Sequence, residues 1–192
     1  MSTRRHTVIR SLHDLGGAAW FGGALMGAVA LNGASQDIKD PTDRACVAAA
    51  GWARWSPVAA AGIAAHLIGG AGLTLVHRDR VHDQAGVTAN TAAKTIITVA
   101  ALGTTAYSGV LGGKIAKAGT VPAAGGTQPA VATPDSVAKA QQQLRALQWA
   151  TPALTGALIV LGAHQGEMQR PGERLRGMAT KAQRRATARF TS

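Results

Sequence analysis

Four runs along this chain contain no Asp, Glu, Lys or Arg: Leu15 to Gln36, Trp55 to His77, Thr95 to Gly113 and Ala146 to Gly166. Each holds about 20 residues, the length at which a helix crosses the roughly 30 Å hydrocarbon layer of a bilayer. A helix packed in a water-soluble bundle keeps one wet face, so charges recur every turn or two along it. Their absence over four such lengths predicts four membrane spans. Only 15% of the residues are charged, against roughly a quarter in an ordinary soluble domain. The spans are built from Ala and Gly rather than Leu and Phe, which is why the mean hydropathy is only +0.07.

The predicted class is an all-α integral membrane four-helix bundle. Spans are expected at about 14–34, 56–77, 94–114 and 146–166 within a transmembrane domain covering 1–167, followed by a basic tail over 168–192. Another uncharged stretch, Ala118 to Pro134, carries three prolines and paired glycines and reads as a linker.

Basic residues near span ends are retained on the cytoplasmic side. Arg4, Arg5 and Arg10 precede the first span, while Arg170, Arg174, Arg176, Lys181, Arg184, Arg185 and Arg189 follow the last. Both termini are therefore expected in the cytoplasm of a bacterial cell membrane, which agrees with an even number of spans. No signal peptide is expected, because the first apolar run is too long for a signal core and is one of four. The net charge of +11 is concentrated in the two tails. Its expected partner is the anionic lipid headgroup rather than nucleic acid. The single cysteine, Cys46, excludes an intrachain disulfide.

The chain also repeats itself. Leu15-Gly16, Ala19-Trp20 and Gly22 of the first span recur at identical spacing as Leu102-Gly103, Ala106-Tyr107 and Gly109 of the third. Asp40-Pro41 and Thr133-Pro134 each read as an N-cap followed by proline at the first helical position. Trp55-Ser56-Pro57 and Trp149-Ala150-Thr151-Pro152 follow them. Pro57 is expected to open the second span, and Pro152 to lie within a helix already running from Pro134. Two tandem helical hairpins, about 11–80 and 91–167, are expected, each with a short amphipathic helix on the outer side. A parallel repeat of this kind is related by an axis along the membrane normal.

Lipid gives no hydrophobic drive between spans, so helices associate where small residues allow close approach. Gly23 and Gly27, Gly109 and Gly113, and Gly162 and Gly166 form GxxxG pairs, and Gly62, His66 and Gly70 line one face. A tight interior with little room is expected. The helix-packing set also points to self-association or to partner subunits in a larger membrane assembly.

Ionisable groups at membrane depth are costly and count as functional candidates. With alternating spans, His13, Asp14, His77, Lys94, His164 and Glu167 all fall near the cytoplasmic leaflet. Imidazoles on facing helices are what haem iron or a divalent metal requires, while polar helix ends that simply reach headgroups are the plainer account. His66 falls near the midplane, where a structural histidine bonded to Thr98, Thr104 or Thr105 is expected. No phosphate loop, catalytic triad or carboxylate pair stands out.

The stretch LHDLGGAAWFGG resembles the first helix of small membrane proteins of the copper-resistance D and protoporphyrinogen-oxidase J types. The second of these implies a haem-ligand role for His13. Over its length the chain also resembles multi-pass proteins of high-GC actinobacteria, in WFGGALMGAVALNGAS, LQWATPALTGALIVL and QGEMQRPGERL. Three functions are consistent with these features. The first is a structural or accessory component. The second is a haem- or metal-handling protein using His13, His77 and His164. The third is a carrier for a small or lipidic solute along the repeat interface, with a cavity near His66.

Overall fold

The computed structural model describes residues 6–76 and 85–167. Four helices dominate it: α1 (Thr7–Asp37), α2 (Pro41–Val76), α3 (Ala85–Lys117) and α4 (Asp135–Glu167). All four contain an apolar window long enough to cross a bilayer. Only 33% of that window in α1, and 11% in α2, is buried inside the chain. Leu15, Ile68, Ile96, Val110 and Val160 stand exposed along the outer faces. Such a surface suits hydrocarbon, and the architecture is that of a multi-pass, all-α membrane protein. His77 and the basic set Arg170, Arg174, Arg176, Lys181, Arg184, Arg185 and Arg189 lie outside the described residues.

The helices form two antiparallel pairs, α1 with α2 and α3 with α4, joined chiefly where α1 meets α4. At that junction Phe21 of α1 packs over Gly156 of α4. The outer stretches expected as separate short helices run on into the spans, so Pro57 lies inside α2 instead of opening it. A proline there removes one backbone donor. Beside it the Ser56 hydroxyl donates to the carbonyl of Trp52, four residues back, at 2.8 Å.

Helix ends follow local chemistry. Asp40 caps α2, its Oδ1 accepting from the amide of Thr42 at 2.9 Å and from its hydroxyl at 2.7 Å. α3 stops at Gly119, whose φ of 69° suits a left-handed C-terminal position. Thr133 does not cap α4. Its hydroxyl instead donates to the carbonyl of Pro122 and accepts from the amide of Ala130, closing a small antiparallel hairpin, β1 (Ala123–Gly125) and β2 (Gln128–Pro129). The stretch expected as a plain linker is therefore a folded plug. Gln141 of α4 donates to Gly125 O at 2.9 Å, and Ser35 Oγ accepts from the Gly126 amide at 2.7 Å. Beneath it Ala45, Leu111, Ile115, Ala123, Val137 and Ala140 form the apolar core of this end.

α1 contains a π turn over Gly27–Leu31. Its buried positions Gly16, Trp20, Gly23 and Gly27 recur every three or four residues; at the turn the buried face steps by one residue to Ala28, and Asn32 and Ser35 follow four and three residues further on. The wide turn thus re-aims the end of α1, placing two polar side chains inside.

The α1–α2 contact brings backbone against backbone. A Cβ on Gly16 would collide with the Gly62 carbonyl and the His66 amide, and one on Gly69 would lie 2.8 Å from His13 Cα. Gly16→Val or Gly69→Val should lower stability by about 2 kcal/mol or more through backbone displacement. Gly162→Ala, which meets open space, should stay within about 0.5 kcal/mol of wild type. Helical circular dichroism during titration with a denaturing detergent measures both. The Thr42 hydroxyl and amide also hold the Asp40 carboxyl below its ordinary value of 3.8. A depressed carboxylate stabilises the fold above that pH and loses its contribution as pH falls through the lower folded value. Protection of the Thr42 amide, its exchange rate relative to that of an unstructured amide at the same pH, should fall only in that acid range, and Asp40→Asn should remove this pH dependence of the protection.

Candidate functional site

Two polar features lie within the bundle. The first joins α1 and α2 through a motif present on both: His13-Asp14-Leu15-Gly16-Gly17 and His66-Leu67-Ile68-Gly69-Gly70. On a helix, the glycines three and four residues after each histidine lie on its own face. Because the helices run antiparallel, each imidazole lands over the other's glycines. The His66 ring sits against Gly17 and the His13 ring against Gly70. His13 Nδ1 donates to the His66 carbonyl at 3.0 Å, and His66 Nδ1 to the His13 carbonyl at 2.9 Å. The rings stack with centroids 4.0 Å apart and an interplanar angle of 20°.

A carbonyl can only accept, so both Nδ1 atoms carry protons and both Nε2 atoms keep lone pairs when the rings are neutral. The charges of Lys94 on α3 and Asp14 on α1 reach both rings. Trp20 completes the cluster, its ring centroid 6.1 Å from that of His66 in an edge-on arrangement and its Nε1 donating to Thr105 Oγ1 at 3.0 Å. His66 therefore bonds to the backbone of His13 and not to Thr98, Thr104 or Thr105. The reason is that α1 starts at Thr7, earlier than the first charge-free residue suggests, so His13 reaches the depth of His66.

This pair does not fit two-sided haem ligation. Axial histidines must present their Nε2 atoms to an iron from opposite sides of the macrocycle, whereas these rings stack directly on each other. His164 is exposed near the end of α4 and shares no hydrogen bond, ion pair or ring contact with any described residue. Among the described residues, no group of three or more His, Cys, Asp or Glu side chains could hold a metal ion.

The second feature is a cavity of about 360 Å³ between α2 and α3, on the hairpin side of Trp20. It corrects the expectation of an interior with little room. Trp52 and Trp55 form one wall. Their rings rest over Gly27 and Gly23, so this GxxxG pair seats indoles rather than a neighbouring backbone. Gly109, Gly112 and Gly113 form the opposite wall, and a Cβ at any of them would meet nothing within 4 Å. Gly162 and Gly166 likewise have no neighbour within that distance, while Gly62 packs on Ala19 and Gly16. Ala53, Ser56, Gly109 and Gly113 are exposed lining residues, which marks the seam between α2 and α3 as the open side. His66 does not line the cavity; Trp20 lies between them.

The roof is polar. Trp52 Nε1 donates to Asn32 Oδ1 at 3.1 Å, Asn32 Nδ2 donates to Gln148 Oε1 at 3.0 Å, and Thr127 Oγ1 donates to the same oxygen at 3.3 Å. The π turn of α1 and the Gly126-Thr127 tip of the hairpin bring these groups together. Among the described residues, no Asp, Glu, Lys, Arg or His lines the cavity.

Comparison of the chain with protein-family models, with curated proteins and with solved structures found no match.

If the two histidines act as a unit, His13→Leu and His66→Leu should show a coupling energy of about 1 kcal/mol in a double-mutant cycle, measured by unfolding in mixed micelles. Additivity within about 0.3 kcal/mol would show that each ring contributes alone.

Proposed function

We propose that this protein binds one small, largely apolar solute within the bilayer, in the cavity between α2 and α3. Of the three functions consistent with the sequence, the solute carrier is the one this geometry supports best. The observation that carries it is the cavity itself. Its volume of about 360 Å³ falls in the range of small-molecule sites, about 300–1,000 Å³. Three tryptophans, a glycine wall and a small hydrogen-bonded roof give the mixture of apolar surface and few polar groups that such sites share. The opening faces the membrane, so the solute enters from the lipid phase. The basic flanks of the chain support a bacterial cell membrane with both ends in the cytoplasm.

The test is native mass spectrometry of protein extracted from its own membrane. A one-to-one mass excess of lipid-like size is expected, released by solvent and identifiable in the extract. Gly109→Leu with Gly113→Leu fills the cavity from a wall where added side chains meet no neighbour. It should remove the bound species while leaving the helical spectrum and unfolding midpoint close to wild type. A bound species that survives this filling would place the binding elsewhere.

A further inference from the structure

We infer that the solute is an uncharged amphiphile whose polar group is a carbonyl, and that Gln148 recognises it. This rests on the cavity-binding function proposed above and adds the chemistry of the occupant. A tryptophan N–H can only donate. Trp52 therefore fixes Asn32 Oδ1 as its acceptor, which leaves Asn32 Nδ2 as a donor. That donor, together with the Thr127 hydroxyl, fixes Gln148 Oε1 as the acceptor of both. The two ends of the Gln148 amide are thereby assigned by hydrogen-bond polarity alone. Its Nε2 carries two N–H groups and makes no hydrogen bond to any described residue. Gln148 is only half-buried and lines the cavity, so these are the donors its roof offers.

A fixed donor selects an acceptor, and a carbonyl oxygen on an apolar body is the simplest acceptor that fits. Charge is excluded by the walls. An ion moved from water into a pocket without a countercharge keeps a desolvation cost that one amide donor does not offset. The remaining lining, chiefly indole, Ala and Gly, takes the apolar body.

Three brominated probes of matched length separate these features: methyl bromoundecanoate, the bromoundecanoate anion and bromododecane. Bromine quenches tryptophan on contact, and Trp20, Trp52 and Trp55 all line the cavity. The remaining tryptophan, Trp149, is exposed and is removed by Trp149→Phe to suppress quenching from bulk lipid. With the full chain in lipid nanodiscs, the ester should bind about fivefold to tenfold more tightly than the alkane, the worth of one neutral hydrogen bond. The anion should bind at least about tenfold more weakly than the ester. Gln148→Leu should abolish the ester's advantage over the alkane while leaving alkane binding near wild type. Trp52→Phe, which frees the roof amides to turn over, should reduce the same ratio by less.

Equal affinity of ester and alkane in the parent, or an ester preference unchanged by Gln148→Leu, would overturn the assignment of a carbonyl to Gln148. Tighter binding of the anion would overturn the assignment of neutrality. If all three probes bind with equal affinity and the Gly109→Leu, Gly113→Leu variant prevents it, the cavity function stands and only the solute chemistry fails. If no probe gives quenching sensitive to that variant, the cavity function itself fails.

Discussion

The close approach of α1 and α2 is the constraint on which the other features depend. Apolar side chains gain nothing from leaving lipid for one another, so a helix pair in a membrane needs backbone proximity and internal polar bonds to hold. Gly16 and Gly69 supply the proximity, and the two Nδ1–H donors of His13 and His66 supply bonds that cross between helices. An unpaired imidazole at this depth would be a cost. Pairing each with the opposite backbone turns two polar groups into one interhelical clasp.

Fixing the helices at this end determines what happens at the other. Farther along α1 the glycines Gly23 and Gly27 are spaced from α2 by whole indole rings, so the interface changes from backbone contact to ring contact. The third span carries the same small-residue spacing as the first, yet Tyr107, which corresponds to Trp20, is exposed and bonded to Gln143 at 2.8 Å, while Trp20 is buried. Two hairpins of similar sequence thus meet their surroundings differently. Gly16, Gly23 and Gly27 of the first are covered, Gly109, Gly112 and Gly113 of the second are bare, and the cavity lies where bare glycine faces indole.

The four spans were legible because an absence of charge over a bilayer's thickness reports the solvent directly, independent of partners. Asp40 as a helix cap was legible for a similar reason, since capping is local. The histidine clasp was not. A His-x-x-Gly-Gly motif has little weight in a chain with so many glycines, and its meaning appears only when two copies are laid antiparallel; comparing α1 with α2, rather than hairpin with hairpin, was the signal available. Nor could composition tell which GxxxG faces a neighbour, because that depends on which helix lies opposite. The hairpin at Ala123–Pro129 was hidden by prolines and glycines that read as a linker. Its bonds to Ser35 and Gln141 come from distant parts of the chain.

The distribution of polarity between the two ends follows from the same physics. At the clasp, Asp14, Lys94 and the two imidazoles lie close enough for their charges to influence one another. The polar side chains that line the cavity are amides, hydroxyls and indole N–H groups. Neutral groups can satisfy one another in short chains, and each link sets the direction of the next. Starting such a chain with an indole, which has no acceptor, forces the sequence donor to acceptor through Asn32 to Gln148. The order cannot reverse while Trp52 is in place, so the free end of the chain is a donor whatever the side chains around it do. On the proposed cavity function, a roof built this way selects its occupant by hydrogen-bond polarity, without placing a charge in the membrane.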